Sequence, residues 1–108
     1  MTEKNFPALA QFCGAYFHQD WELEAPDALA VISNYLKDES LEQVEATIKE
    51  IEHLLSQHLA TEQLKNLLEC ELNCYYNPTA YGISHSDWLL WVQISLKQGI
   101  SIRSPLLA

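Results

Sequence analysis

Apolar residues recur along this chain at three- and four-residue steps, the spacing that lines one face of an α-helix. Phe6, Leu9, Ala10, Cys13 and Phe17 make the first such stripe and predict a helix over residues 6–17, with Pro7 in its first turn. Gly14 interrupts that helix and is expected to mark the close approach of another element. A second helix is expected over 26–37, opened by Pro26 and Asp27 and burying Leu29, Val31, Ile32, Tyr35 and Leu36. The clearest runs over 41–57: Ser40 and Gln43 form a capping box, and Leu41, Val44, Ile48, Ile51 and Leu55 point inward. Glu42, Glu45, Lys49, Glu52 and His53 fall on its outer side. A fourth helix, 61–73, offers Leu64, Leu67, Leu68 and Leu72 to the core and ends before Asn77–Pro78.

The fifth helix is expected from Ser86 or Asp87 to Lys97, with Ser84 and Asp87 as a capping box and Gly99 as its stop. Trp88, Leu89, Leu90, Trp91, Val92, Ile94 and Leu96 surround it, so it should be central to the core. A short apolar tail, 100–108, follows. The reading is all-α: one domain over 1–108, a single compact bundle of about five helices with a central apolar C-terminal helix.

Composition fits that reading. Apolar residues make up 48% of 108, enough for one core, and three glycines and four prolines supply too little turn chemistry for a sandwich or barrel. Charge adds more. Fifteen acids face six bases, a net charge of −9, and thirteen of the acids lie between Asp20 and Glu71. That field repels nucleic acid and anionic lipid and favours a basic protein partner. No signal peptide and no apolar run long enough to span a membrane can be read, so a cytoplasmic protein is expected.

No constellation rises to an enzyme motif. Cys70 and Cys74, four apart, should share a helix face, a spacing unlike zinc knuckles, and are read as packing residues. Cys13 has His18 five residues on, not a helical contact distance. Asp20, Glu22, Glu24 and Asp27 sit on a polar connector and should be solvated, whereas acid–base catalysis needs one drier carboxyl. No catalytic residue, cofactor or metal site is expected. Trp21 should anchor the connector on the core. Tyr75, Tyr76 and Tyr81 crowd one loop and either cap the core or form an interface.

The block Phe6-Pro-Ala-Leu-Ala-Gln-Phe-Cys-Gly-Ala-Tyr-Phe-His-Gln-Asp-Trp21, with Gly82, Ser84, Trp88 and Leu89 later, resembles the CdiI immunity proteins of contact-dependent growth inhibition systems. The likeness covers most of the chain in order and length; the apolar tail departs from it. It implies a stoichiometric inhibitor, a monomer that forms a 1:1 complex with a cognate toxin domain, commonly a nuclease. An acidic helical surface suits a nuclease's basic groove. The shared motif is expected to build the fold, with Phe17, Asp20 and Trp21 as a packed corner and Asp20 accepting hydrogen bonds from a helix start. The expected contacts are therefore Glu22, Glu24, Asp27, Glu39, Glu42 and Glu45, with Tyr75, Tyr76 and Tyr81. The competing readings are an acidic helical adaptor or regulatory subunit binding a basic partner, and a small enzyme using Cys13, His18 or the acid cluster.

Overall fold

The computed structural model describes residues 6–103. Among the described residues six α-helices follow one another: α1 (Pro7–Tyr16), α2 (Trp21–Glu24), α3 (Ala28–Asp38), α4 (Leu41–Ser56), α5 (Thr61–Asn66) and α6 (His85–Arg103). A π-helical turn at Leu67–Glu71 extends α5, and a 3-10 turn at Pro78–Tyr81 precedes α6. The described residues contain no strand, as an all-α reading requires. The single turn of α2 lies within what the sequence reads as a plain connector.

A helix leaves its first N–H groups without partners, and what satisfies them fixes where it starts. Asp27 accepts from the Ala30 N–H at 2.9 Å, so α3 begins two residues later than expected, with Asp27 as an extended cap. Ser40 accepts from the Gln43 N–H and Ser84 from the Asp87 N–H, both at 3.1 Å. The Gln43 side chain does not complete a capping box; it donates to Gln11 Oε1 at 3.1 Å and to the Ala8 carbonyl at 3.4 Å, tying α4 to α1. At α1 the preceding residue is Phe6, which has no side-chain acceptor. The Glu50 carboxylate reaches across from α4 instead, accepting from the Leu9 N–H at 2.8 Å and the Ala8 N–H at 3.1 Å. At α5 the Ala60 side chain cannot cap, and Gln63 Oε1 accepts from the Ala60 N–H at 3.0 Å.

α6 lies against α3, α4 and α5, and buries Trp88, Leu89, Val92 and Leu96. It is central, yet not covered all round: Leu90, Trp91 and Ile94 are exposed on its outer side. It also runs past Gly99. A Cβ there would overlap Leu36 Cδ1 and lie 2.9 Å from Cδ2, so this glycine admits α3 rather than ending α6. The sequence assigned the close approach to Gly14, which is exposed with nothing near a Cβ. Ile100 is half-buried against the core; residues 104–108 of the tail lie outside the described residues.

The inward face of α3 is Ala28, Val31, Ile32 and Tyr35, an i, i+3, i+4, i+7 set. Leu29 lies about 100° from Ala28 around the helix, off that stripe, and is 57% exposed. α4 buries Val44, Thr47, Ile48, Ile51 and Leu54, with Leu41 and Leu55 half-buried at the edge. Thr47 is accommodated by the Tyr35 hydroxyl at 2.7 Å. The π turn ends in a Leu72 N–H to Leu67 carbonyl bond of 3.0 Å. It separates the two cysteines expected on one face: Cys70 is exposed, while Cys74 lies beyond the helix and is buried.

Candidate protein interface

Phe17 organises the aromatic core. Its ring meets Phe12, Trp21, Tyr76 and Trp88 edge-on or tilted at 5.4–5.6 Å between centroids. Trp21 is 6% exposed and anchors α2, as expected. Asp20 differs from expectation: its side chain makes no cap hydrogen bond, and its N–H donates to His18 Nδ1 at 3.1 Å.

Above this core a groove of about 440 Å³ opens between α2, the start of α3, the 3-10 turn and α6. Its floor is Trp21, Ala28, Tyr76 and Trp88. Tyr76 lies nearly flat on Trp88, 5.0 Å between centroids at 17°, and Tyr81 stacks on Tyr76 at 5.7 Å and 10°. Leu29, Tyr81, Ile83 and Trp91 form walls that stay partly open to water. Pro26, Glu22 and Asp27 complete the lining, and among the described residues it contains no basic one. Burial raises the Tyr76 phenol above its ordinary value, with Tyr81 and Asp27 adding to it, so the floor stays uncharged. Gly82, at φ 75, turns the chain sharply enough after the 3-10 turn to leave Tyr81 and Ile83 on the groove.

Four of the nine contact residues expected from sequence therefore meet in one place: Glu22, Asp27, Tyr76 and Tyr81. Glu24 is exposed nearby and held by His18 Nε2 at 2.9 Å. Tyr75 points out, 56% exposed, its N–H fixed by the Phe17 carbonyl at 2.8 Å. The loop thus divides: Tyr76 caps the core, while Tyr75 and Tyr81 are open. Glu39, Glu42 and Glu45 lie apart from the groove, at the other end of α3 and the start of α4. Asp27 and Glu39 cap opposite ends of that helix, about 18 Å apart at 1.5 Å per residue. Glu39 accepts from the Tyr16 hydroxyl at 2.7 Å and from Gln11 Nε2 at 3.5 Å. Burial, then Glu39 itself, hold the Tyr16 phenol well above its ordinary value, so it remains a donor. Glu42 and Glu45 are exposed on α4.

The sequence did not single out Leu29, Ile83 and Trp91 as surface residues. For Leu29 and Trp91 the signal was present in the periodicity, since a large apolar residue off the inward stripe of its helix is either redundant core or surface; Ile83 lies in the loop before α6, where no such stripe exists.

The groups that could have carried chemistry stay apart. Cys13 is fully buried, and a hydrogen bond with the Cys74 thiol, together with burial, pushes its own thiol up, away from thiolate. His85 is buried, and Glu69 Oε2 stands 3.7 Å from its Nε2. Among the described residues no three His, Cys, Asp or Glu side chains converge as metal ligands, and no helix is long and apolar enough to cross a membrane.

Residues 5–96 match the CdiI immunity protein family. The chain belongs to that family. The resemblance carried by the Phe6–Trp21 block is thus correct, and the match spans every residue lining the groove. Among solved structures, a chain in the crystal structure of a CdiA-CT/CdiI complex from Y. kristensenii 33638 is 26% identical, with a TM-score of 0.81 over 85% of this chain and 98% of that one. No curated protein matches. This CdiI immunity protein shares its helical frame with that chain.

Proposed function

We propose that this CdiI protein binds and neutralises the cognate C-terminal toxin domain of a contact-dependent growth inhibition system, one to one and in the cytoplasm. The likeness to a chain of a CdiA-CT/CdiI complex carries this reading. The toxin is a nuclease: a net charge of −9 complements the basic cleft that such an enzyme needs for phosphates, and opposite fields speed encounter. The protein works by occupancy rather than by a reaction. Its candidate catalytic groups support that view, since Cys13 is sealed in the core and His18 is committed to Glu24.

The contact set is Glu22, Glu24, Asp27, Tyr75, Tyr76 and Tyr81 at the groove end and Glu39, Glu42 and Glu45 at the other end of α3. Protection at nanomolar affinity needs about −12 kcal/mol, within reach of a standard interface of ~1,600 Å² that has a few good anchors.

The test is co-expression with the toxin domain encoded beside this protein. Restored growth and co-purification in equal amounts are expected. Loss of both would overturn the reading. Nuclease assays on the purified toxin, with this protein titrated in, decide the toxin's chemistry: stoichiometric loss of cleavage is expected, and a toxin that cleaves no nucleic acid refutes that part alone.

A further inference from the structure

Three features of the groove coincide. Large apolar side chains stay in water where they could have been covered: Leu29 is 57%, Tyr81 61% and Trp91 38% exposed. They surround a concavity of about 440 Å³ rather than a flat surface. Two carboxylates, Glu22 and Asp27, stand among them, with no base in the lining among the described residues. An exposed apolar patch with a polar rim marks a binding surface. Along α6 the patch continues: Leu90, Trp91 and Ile94 fall within an arc of about 100° and are all exposed.

We propose that this groove is the anchor socket for the toxin: it receives one large apolar side chain, aromatic or branched, from a toxin segment that brackets it with Arg or Lys. The proposal rests on the immunity reading above and deepens it. The chemistry of the walls selects the occupant. An apolar ligand alone would not need Glu22 and Asp27. A basic segment alone would gain little from Leu29 and Ile83. A segment with both finds carboxylates for its cations and the faces of Tyr81 and Trp91, which attract a guanidinium through the ring quadrupole. Energy in protein interfaces concentrates in a few central, well-packed anchors, with charges outside them steering approach. The groove then holds the complex together, and Glu42 and Glu45 bring it together.

The experiment measures toxin affinity by calorimetry across a salt series, for the wild-type chain, Trp91→Ala, Leu29→Lys and the double variant Glu42→Lys/Glu45→Lys. Each substituted residue is at least partly exposed, and circular dichroism checks the folds. Trp91→Ala should weaken binding about 30-fold with an unchanged salt slope, and Leu29→Lys about 100-fold, since it places a cation where the partner brings one. The double variant should lose about tenfold at low salt and flatten the salt slope. Acrylamide quenching of the wild-type chain needs no variant. Trp91 is the exposed indole beside buried Trp21 and Trp88, and the complex should protect it. Wild-type affinity in both groove variants, or unchanged quenching, overturns the socket while leaving the immunity reading intact. A wild-type dimer that Leu29→Lys turns into monomer also overturns it, assigning the groove to a second copy. A wild-type chain that neither binds nor protects removes both.

Discussion

Removing one carboxylate tests how α1 is held. Ala10 donates to the Phe6 carbonyl at 2.9 Å, and Pro7 has no N–H, so Ala8 and Leu9 carry the first-turn donors left over. Both go to Glu50, at 3.1 and 2.8 Å. Neither residue can turn to water in its place: Ala8 is 6% and Leu9 0% exposed. Losing a side-chain cap costs roughly 1 kcal/mol, up to ~2. An anion at the positive end of a helix dipole adds about 0.3–1 kcal/mol. Glu50→Ala should therefore destabilise by about 2 kcal/mol. Glu50→Gln keeps one acceptor and no charge, and should cost about 1 kcal/mol. Urea denaturation reads these values. With a slope of ~1–3 kcal/mol/M, the alanine midpoint should fall by about 1 M. Amide exchange at Leu9 should speed up ahead of the rest of α1. Glu45→Ala, on the exposed face of the same helix, is the control and should stay within about 0.5 kcal/mol. If Glu50→Ala matches that control, or Glu50→Gln is as damaging as alanine, the cap across helices is not what holds α1.

The two helical glycines should respond oppositely. Gly14→Ala should stabilise by roughly 0.5–1 kcal/mol in thermal melts, since its helix gains propensity and no neighbour is met. Gly99→Ala should destabilise by ~1–2 kcal/mol through its overlap with Leu36, and adding Leu36→Ala should remove most of the penalty specific to position 99. His85 is held below its ordinary value of 6.5 mainly by burial, with Glu69 opposing. The folded state thus binds a proton less readily than the unfolded one, and stability complete above pH 6.5 should decline as pH falls below it. Melts from pH 7.5 to 5 should show a smaller decline in His85→Gln than in wild type. Of the three free thiols, only Cys70 is exposed, so a native chain should yield one fast thiol to an aromatic disulfide reagent and three after unfolding.

How the helices lie along the chain was legible because their signals are local. Ser40, Ser84 and Asp27 cap within three residues of themselves, and the inward stripes repeat within a few turns. What escaped was non-local. The cap on α1 comes from a residue more than forty positions away, at Glu50. Which glycine meets a neighbour depends on where Leu36 lands. The groove was half legible. Acids and tyrosines betray themselves by type, and Glu22, Asp27, Tyr76 and Tyr81 do converge. Leu29 and Trp91 do not, because an apolar residue on a helix reads as core until the partner helix is seen to cover the other side. The π turn was illegible for the same reason: Cys70 and Cys74 share a face only while the helix keeps its regular pitch.

Asp27 serves two masters. Its carboxylate starts α3 by accepting from Ala30, and it also lines the groove. Glu22 lines the same groove and has no such duty among the hydrogen bonds of its own helix end. On the proposal that the groove receives the toxin, a change in the toxin's sequence asks different things of the two positions. A charge reversal at position 22 should leave the cap of α3 intact. Position 27 can travel only among Asp, Asn, Ser and Thr, which keep the cap, so its charge can be removed and not inverted. Specificity in this frame should evolve around a fixed hinge of helix-starting chemistry, with the freer residues of α2 and α6 rewriting the rest.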